Sequence, residues 1–238
     1  MKIYSKTNQL NLRGLFKMLM LCAVIGLVFT SCMKDSYSNY QAQPTAALNV
    51  VHASPGTASF NFALDNNFVN GPALLYGQRS GYLSAYAGKR LFSLTSGGST
   101  QVVATDTMTL VPNNYYSLFI TGLNTAPTFF LTQDDLTAPA PGKAKIRFAQ
   151  LSPNGGNFDL LIKGGAALFS NQAYQTVSSF SSIDPGTYNF QLKADQTGNI
   201  TALDSVAINP GHIYTVWSKG LVNGSDDTAI SGKVMENN

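Results

Sequence analysis

The chain has 238 residues, of which 44% are hydrophobic, 11% aromatic and only 11% charged, against roughly 25% charged in an average soluble protein. That composition supplies a core and excludes global disorder, and 21 glycines with 10 prolines exclude a collagen-like chain. The formal charge of +3 counts Lys2, Lys6, Arg13 and Lys17, which lie in a segment expected to be removed; without them eleven basic residues face twelve acids, a net charge near −1 with no basic stripe for a nucleic-acid partner.

Residues 1–17 carry four positive charges and no acid, residues 18–29 (MLMLCAVIGLVF) are apolar, and the small Thr30 and Ser31 precede Cys32. This is the order of a secretory signal, expected over 1–31. A twelve-residue apolar helix reaches about 18 Å, well short of the ~30 Å hydrocarbon core, so a permanent span is not expected. Phe29-Thr30-Ser31-Cys32 resembles the lipobox of bacterial lipoproteins, with Phe where Leu is usual. The resemblance implies that Cys32 is lipidated and becomes the mature N-terminus, with 32–45 as a polar tether and the membrane as a partner through the lipid. Lys34-Asp35 resembles a weak form of the charged surface-export signal of Bacteroidota lipoproteins. The expected location is therefore the outer membrane, facing the cell surface, with the periplasmic face as the alternative. Cys22 leaves with the signal, so the mature chain is expected to hold no disulfide.

From residue 46 onward the chain repeats at an offset of 98. Sixteen identical pairs join 46–123 to 144–221, among them Ser54/Ser152, Phe60/Phe158, Tyr76/Tyr174, Ser80/Ser178, Gly88/Gly186, Tyr116/Tyr214 and Gly122/Gly220. Two homologous domains are expected, at 46–141 and 142–238. Within each, apolar residues alternate at period two, as in Phe60, Phe62 and Leu64, and Pro, Gly and Asn clusters punctuate the runs. Seven strands per unit are expected, near 47–53, 58–65, 79–86, 89–95, 101–110, 115–122 and 128–132, and again 98 residues later. The fold class is all-β: two tandem Ig-like or Greek-key sandwiches after a lipoprotein signal peptide.

Leu110-Val-Pro-Asn-Asn-Tyr-Tyr116 and Ile208-Asn-Pro-Gly-His-Ile-Tyr214 share the form apolar-x-Pro-x-x-x-Tyr. This resembles the tyrosine corner of Greek-key sandwiches, which makes Tyr116 and Tyr214 structural residues whose phenols bond to nearby backbone. Ala47-Leu-Asn-Val-Val-His-Ala-Ser-Pro-Gly56, Leu131-Thr-Gln-Asp-Asp-Leu-Thr-Ala-Pro139 and Gly142-Lys-Ala-Lys-Ile-Arg-Phe-Ala-Gln-Leu-Ser-Pro153, with the Pro-x-x-x-Tyr strand, resemble the bacterial domain-of-unknown-function family 4397 (DUF4397). That family occurs in secreted and lipid-anchored proteins. The resemblance covers about 46–225 and carries no catalytic residues over.

His52 and His212 fall opposite Gln150 and Asn114, so neither belongs to a duplicated site. His52 with Ser54 and Asp65 lacks the context of a catalytic triad, and a hydrogen-bonded histidine at a strand end is expected. Asp134-Asp135 and Asp226-Asp227 could offer oxygens to calcium, but lack its loop spacing and are expected to be solvated loop acids. Neither a metal site nor a cofactor is expected. Tyr82, Tyr86, Tyr115 and Trp217 are weighed as exposed aromatics able to stack on sugars against packing on a sheet face, and Tyr82, Tyr86 and Tyr115 are retained as candidate ligand-binding residues. The expected function is non-enzymatic: a surface or periplasmic lipid-anchored protein presenting two sandwiches for adhesion or for binding a glycan or protein. The alternative is a structural or assembly accessory of the outer membrane or cell envelope.

Overall fold

The computed structural model describes residues 42–237 other than 70 and 196, so the expected signal, Cys32 and most of the tether lie outside the described residues. Gln43–Asn238 forms one compact unit. Its first half holds β1 (Thr45–His52), β2 (Ser59–Leu64), β3 (Asn67–Phe68), β4 (Leu74–Leu75), β5 (Arg79–Tyr86), β6 (Gly88–Ser96), β7 (Val102–Leu110), β8 (Tyr115–Leu123) and β9 (Ala126–Asp134). Its second half holds β10 (Ala144–Gln150), β11 (Phe158–Ile162), β12 (Ala167–Gln172), β13 (Thr176–Val177), β14 (Ser181–Ile183), β15 (Gly186–Ala194), β16 (Ile200–Ile208), β17 (Ile213–Lys219) and β18 (Ser231–Glu236). The described residues are all-β apart from one short 3₁₀ turn, Asp226–Thr228.

Each half is a lobe of two facing sheets. The first lobe stacks β5-β1-β8-β9 on β3-β2-β6-β7, and the second stacks β13-β10-β17-β18 on β12-β11-β15-β16. Alternation fills the gap between them. Ala46, Leu48 and Val50 of β1 meet Phe60, Phe62, Phe92 and Leu94 in the first core, and Ala144, Ile146 and Phe148 of β10 meet Phe158, Leu160, Phe190 and Leu192 in the second. At roughly 1.5–3 kcal/mol for each large apolar side chain buried, these rows dominate the stability of each lobe. β1 pairs in parallel with β8 and β10 in parallel with β17, while the remaining partners are antiparallel.

The repeat identities are hydrogen bonds that the fold needs twice. Ser54 Oγ donates to the Gly122 carbonyl at 2.9 Å, and Ser152 Oγ to the Gly220 carbonyl at 2.8 Å. Ser80 Oγ accepts the Val50 N–H and Ser178 Oγ the Phe148 N–H, each at 2.9 Å, where the edge strand is irregular. Tyr116 and Tyr214 are both buried, and their phenol oxygens accept the N–H of Val111 at 3.1 Å and of Asn209 at 3.0 Å. Gly122 has φ +80°, and a Cβ there would lie 2.5 Å from the Ala126 carbonyl oxygen, so only glycine fits.

The second unit departs from the expectation in its middle, where β12 is an added strand and the expected 177–184 strand is broken into β13 and β14, and again at its end. A strand near 226–230 is expected from the offset, but β18 runs Ser231–Glu236 and the 3₁₀ turn occupies 226–228. The tight connection between β8 and β9 becomes a longer loop between β17 and β18, which breaks the offset.

The lobes also share a core. The outward faces of β1 and β8 pack on those of β10 and β17 through Val51, Ala53, Phe119, Ala149, Leu151, Trp217 and Met235. The contacts are reciprocal. Tyr174 of the second lobe reaches Thr121 of the first, and Tyr76 of the first reaches Lys219 of the second, and both pairs of residues are equivalent at offset 98. The arrangement has the logic of an isologous dimer within one chain. Trp217, weighed from sequence as an exposed aromatic, is 2% exposed in this joint.

Candidate functional site

The joint between the lobes carries a buried polar ring. Arg147 on β10 donates from Nη2 to Asp134 Oδ1 at 2.5 Å and from Nε to Thr215 Oγ1 at 2.8 Å. Thr215 donates to Asn237 Oδ1 at 2.7 Å, Asn237 Nδ2 donates to Tyr82 Oη at 3.2 Å, and Tyr82 donates to Asp134 Oδ2 at 2.6 Å. Ser117 Oγ donates to the same carboxylate oxygen at 2.7 Å. Five side chains thus close a circuit across the two lobes. The Phe180 ring lies 4.5 Å from the guanidinium carbon of Arg147. Asp134 is accordingly not the solvated loop acid expected from its Asp-Asp sequence. It ends β9 and is 4% exposed, because its carboxylate neutralises a buried guanidinium.

The three candidate tyrosines divide between two places. Tyr82 and Tyr115 project from the outward face of the first lobe, and their rings meet edge to face at 5.4 Å and 87°. Tyr82 is half-buried, and its phenol is pushed well above its usual range by burial first and by the Asp134 carboxylate next. It is a fixed wall. Tyr115 is 45% exposed. Tyr86 shares the β5 face with Tyr82 but lies at the far end of the strand, 57% exposed, beneath the Arg90 guanidinium at 5.9 Å. It does not join the pair.

Tyr115 stands between two adjoining concavities. The larger, of about 790 Å³, is lined by Tyr82, Asn113, Asn114, Tyr115, Gln133 and Asp135 among others, and the second, of about 380 Å³, by Tyr82, Ser84, Asn113, Asn114 and Tyr115. The Val111–Asn114 turn holds the amides in place: the Asn113 N–H donates to the Thr45 carbonyl at 2.8 Å, and the Asn114 carbonyl accepts the Ala47 N–H at 2.9 Å. Asn113 adopts φ +62°, a conformation asparagine tolerates. The side-chain amides of Asn113, Asn114 and Gln133 make no hydrogen bond with other described residues, leaving donors and acceptors open to the cleft. Asp135 is held down to about 2 by hydrogen bonds from Thr137 and then by Lys145, whose ammonium lies 3.1 Å away. It presents a fixed negative charge at the rim. These amides were not singled out from sequence; their place directly before the paired tyrosines of β8 is the signal that could have found them.

His52 is buried with neither ring nitrogen hydrogen-bonded, packed 4.6 Å from Phe60 and 5.5 Å from Tyr76. This corrects the expectation of a hydrogen-bonded strand-end histidine, since β1 carries the ring into an aromatic wall. Burial lowers its pKa to about 4, so it is neutral at physiological pH. Ser54 Oγ bonds the Gly122 carbonyl and Asp65 pairs with Arg90 at 3.0 Å, so the three residues do not assemble. His212 Nδ1 meets Glu236 Oε1 at 2.8 Å. Asp226 and Asp227 are exposed, and among the described residues no group of three metal-ligating side chains converges.

No curated protein matches the sequence. Among solved structures the chain is similar to a family 26 carbohydrate-binding module of Eubacterium rectale Amy13K crystallised with maltoheptaose, at 12% identity and TM-score 0.25, over 81% of this chain and 96% of that one. A streptococcal virulence factor described by its alpha-glucan binding matches at 12% identity and TM-score 0.22, over 78% and 95%. A candidate cell adhesion protein of Bacteroides eggerthii matches at 10% identity and TM-score 0.22, over 82% and 95%. The family model described as Domain of unknown function (DUF4397) matches residues 46–161, the first lobe and the second as far as β11.

Proposed function

We propose that the chain is a non-catalytic, lipid-anchored protein of the outer membrane surface whose two tandem Ig-like sandwiches present the Tyr82–Tyr115 cleft to a neutral glycan. One observation carries the reading: the Tyr115 ring, 45% exposed and propped edge to face by a buried-network tyrosine, stands among side-chain amides that no other described residue pairs. A sugar ring offers two kinds of surface. Its C–H faces are weakly positive and pack on an aromatic π-face, and its hydroxyls need partners that both donate and accept. Tyr115 supplies the first and Asn113, Asn114 and Gln133 the second. A volume of about 790 Å³ falls within the range of small-ligand sites. Because the Arg147–Asp134 circuit fixes Tyr82, the cleft is largely formed before a ligand arrives. Cys32, outside the described residues, is the proposed lipid attachment point, and the polar residues up to Thr45 lead directly into β1.

The test is a glycan array probed with the full chain and with its Tyr115→Ala and Asn114→Ala variants. Binding to at least one neutral oligosaccharide is expected, with a loss of about tenfold or more for Tyr115→Ala. Array binding that is unchanged in both variants would refute the site.

A further inference from the structure

The reciprocal packing of the lobes gives each position in the joint a counterpart at the other end, so the two ends can be compared within one molecule. Around Thr121 the joint is neutral and closed. Tyr174 Oη donates to Thr121 Oγ1 at 3.1 Å, and Gln175 Nε2 donates to Thr121 Oγ1 at 2.9 Å and to Thr128 Oγ1 at 3.0 Å. At the opposite end Lys219 stands in place of Thr121, Tyr76 in place of Tyr174 and Gly77 in place of Gln175. Gln175 and Gly77 both have positive φ, so the backbone is alike and the side chains differ.

The exchange opens a cavity of about 480 Å³ whose walls include Thr57, Ala58, Leu75, Tyr76, Lys219 and Lys233. The missing side chain at position 77 is what lets the two lysines converge: a Cβ there would lie 3.2 Å from Lys233 Cε and 3.5 Å from Lys219 Cε. Lys219 is 7% exposed, its ammonium 4.1 Å from the centre of the Tyr76 ring and 3.1 Å from the Asp227 carbonyl. No carboxylate of the described residues lies within 4.0 Å of either lysine ammonium. The Tyr76 hydroxyl is buried with no well-formed hydrogen bond, the Gly220 backbone N–H being close to it, so its own proton is free to donate. A buried ammonium with no carboxylate in contact and a buried phenol whose proton has no acceptor are both costly unless something else completes them.

We propose that this cleft is an oxyanion-binding site, in which Lys219 and Lys233 hold the carboxylate, sulfate or phosphate group of a small ligand and the Tyr76 hydroxyl donates a further hydrogen bond. Asp227 is the one acid among the described lining residues, and with the two lysines it leaves them a net charge of +1, which suits a monoanionic group. Leu75 and Ala58 offer an apolar wall to the ligand's carbon body. Lys219 is held below its usual range by burial and by the neighbouring Lys233 charge, with Asp227 pulling weakly the other way, and the charge of an incoming anion would offset both. Tyr76 is pushed up to about 12, chiefly by burial, and stays a donor at neutral pH. The site is separate from the Tyr115 cleft, so either can fail alone.

Trp217, the single tryptophan, pairs across strands with Lys233 and reports on the site. The full chain is titrated with sodium acetate, sulfate and phosphate, with ionic strength held constant by sodium chloride, and Trp217 fluorescence is read. A saturable response to at least one of these anions is expected, and which of the three gives it identifies the group. Lys219→Met should abolish the response, while Lys233→Met and Tyr76→Phe should each shift half-saturation by about tenfold. Lys193→Met, on β15 in the outer sheet, should leave it unchanged. Because Lys233 is exposed, its variant folds even if Lys219→Met does not. The absence of saturation with all three anions, or an unchanged curve for Lys233→Met, overturns the proposal.

Discussion

Replacing Asp134 with asparagine keeps the side-chain shape and removes one charge from the joint. Arg147 is then left with a 2% exposed side chain and no counter-ion. It keeps a neutral amide oxygen at position 134, Thr215 Oγ1 at 2.8 Å, Ser117 Oγ at 3.5 Å and the Phe180 ring, none of which carries a compensating charge. An uncompensated buried charge costs about 3–5 kcal/mol. For a unit of this size each kcal/mol lowers the melting temperature by roughly 2–4 °C, so the fall should be roughly 6–20 °C. Arg147→Met strands the carboxylate instead and should cost a similar amount. The double variant Asp134→Asn/Arg147→Met removes both charges, and the flexible methionine side chain fills much of the arginine's space, so its loss should be well below the sum of the two. The assay is urea-induced unfolding of the full chain in all four forms, analysed as a double-mutant cycle. A coupling of about 2 kcal/mol or more is expected. Single-variant losses below about 1 kcal/mol, or additivity within about 0.5 kcal/mol, would show that the pair does not hold the lobes together.

Tyr116→Phe and Tyr214→Phe each orphan a backbone N–H, of Val111 or Asn209, and should cost about 1–3 kcal/mol by urea unfolding; a loss of less than about 0.5 kcal/mol in both would remove the corner role. His52 is neutral in the folded state down to about pH 4 but takes a proton near pH 6.5 when unfolded, so its contribution is complete above pH 6.5 and is lost as pH falls towards 4, by about 3 kcal/mol in all. His52→Gln, the residue at the equivalent position in the second lobe, should flatten that part of the pH–stability curve, and an unchanged slope would contradict the burial argument. Cys32→Ala should abolish incorporation of labelled palmitate, whereas normal labelling would remove the proposed anchor.

Strand positions in the first lobe were legible because period-two alternation is a direct image of a sheet with one buried face. All seven expected strands have counterparts there, with only the two-residue β3 and β4 added. In the second lobe the offset misses the six-residue β12 and takes as one strand what is broken into β13 and β14; it places β10, β11, β15, β16 and β17, and after the loop beyond Lys219 lengthens it misplaces β18. The joint between lobes was not legible. Asn49, Ser117, Arg147 and Thr215 occupy outward positions, and in a single sandwich such polar residues face water. The overlooked signal is that β8 and β17, YYSLFITGL and IYTVWSK, are nearly continuous runs of apolar and small residues, as expected of strands covered on both faces. Tyr82 and Tyr115 could be nominated from residue type, but their meeting depends on β1 lying between β5 and β8, a pairing that spans distant sequence. The same holds for Tyr76, Lys219 and Lys233, which only the reciprocal docking of the lobes brings to one cavity.

Chemical-shift mapping of the bound glycan tests the central claim most directly. An oligosaccharide that binds on the array is titrated into the isotope-labelled chain, and backbone and side-chain amide shifts are followed by NMR. The account predicts the largest changes at Asn113, Asn114, Tyr115 and Gln133, including the three side-chain amides, with smaller ones at Tyr82 and little change in β15 and β16. Shifts centred elsewhere on the surface, with Asn113–Tyr115 unmoved at saturation, would contradict it.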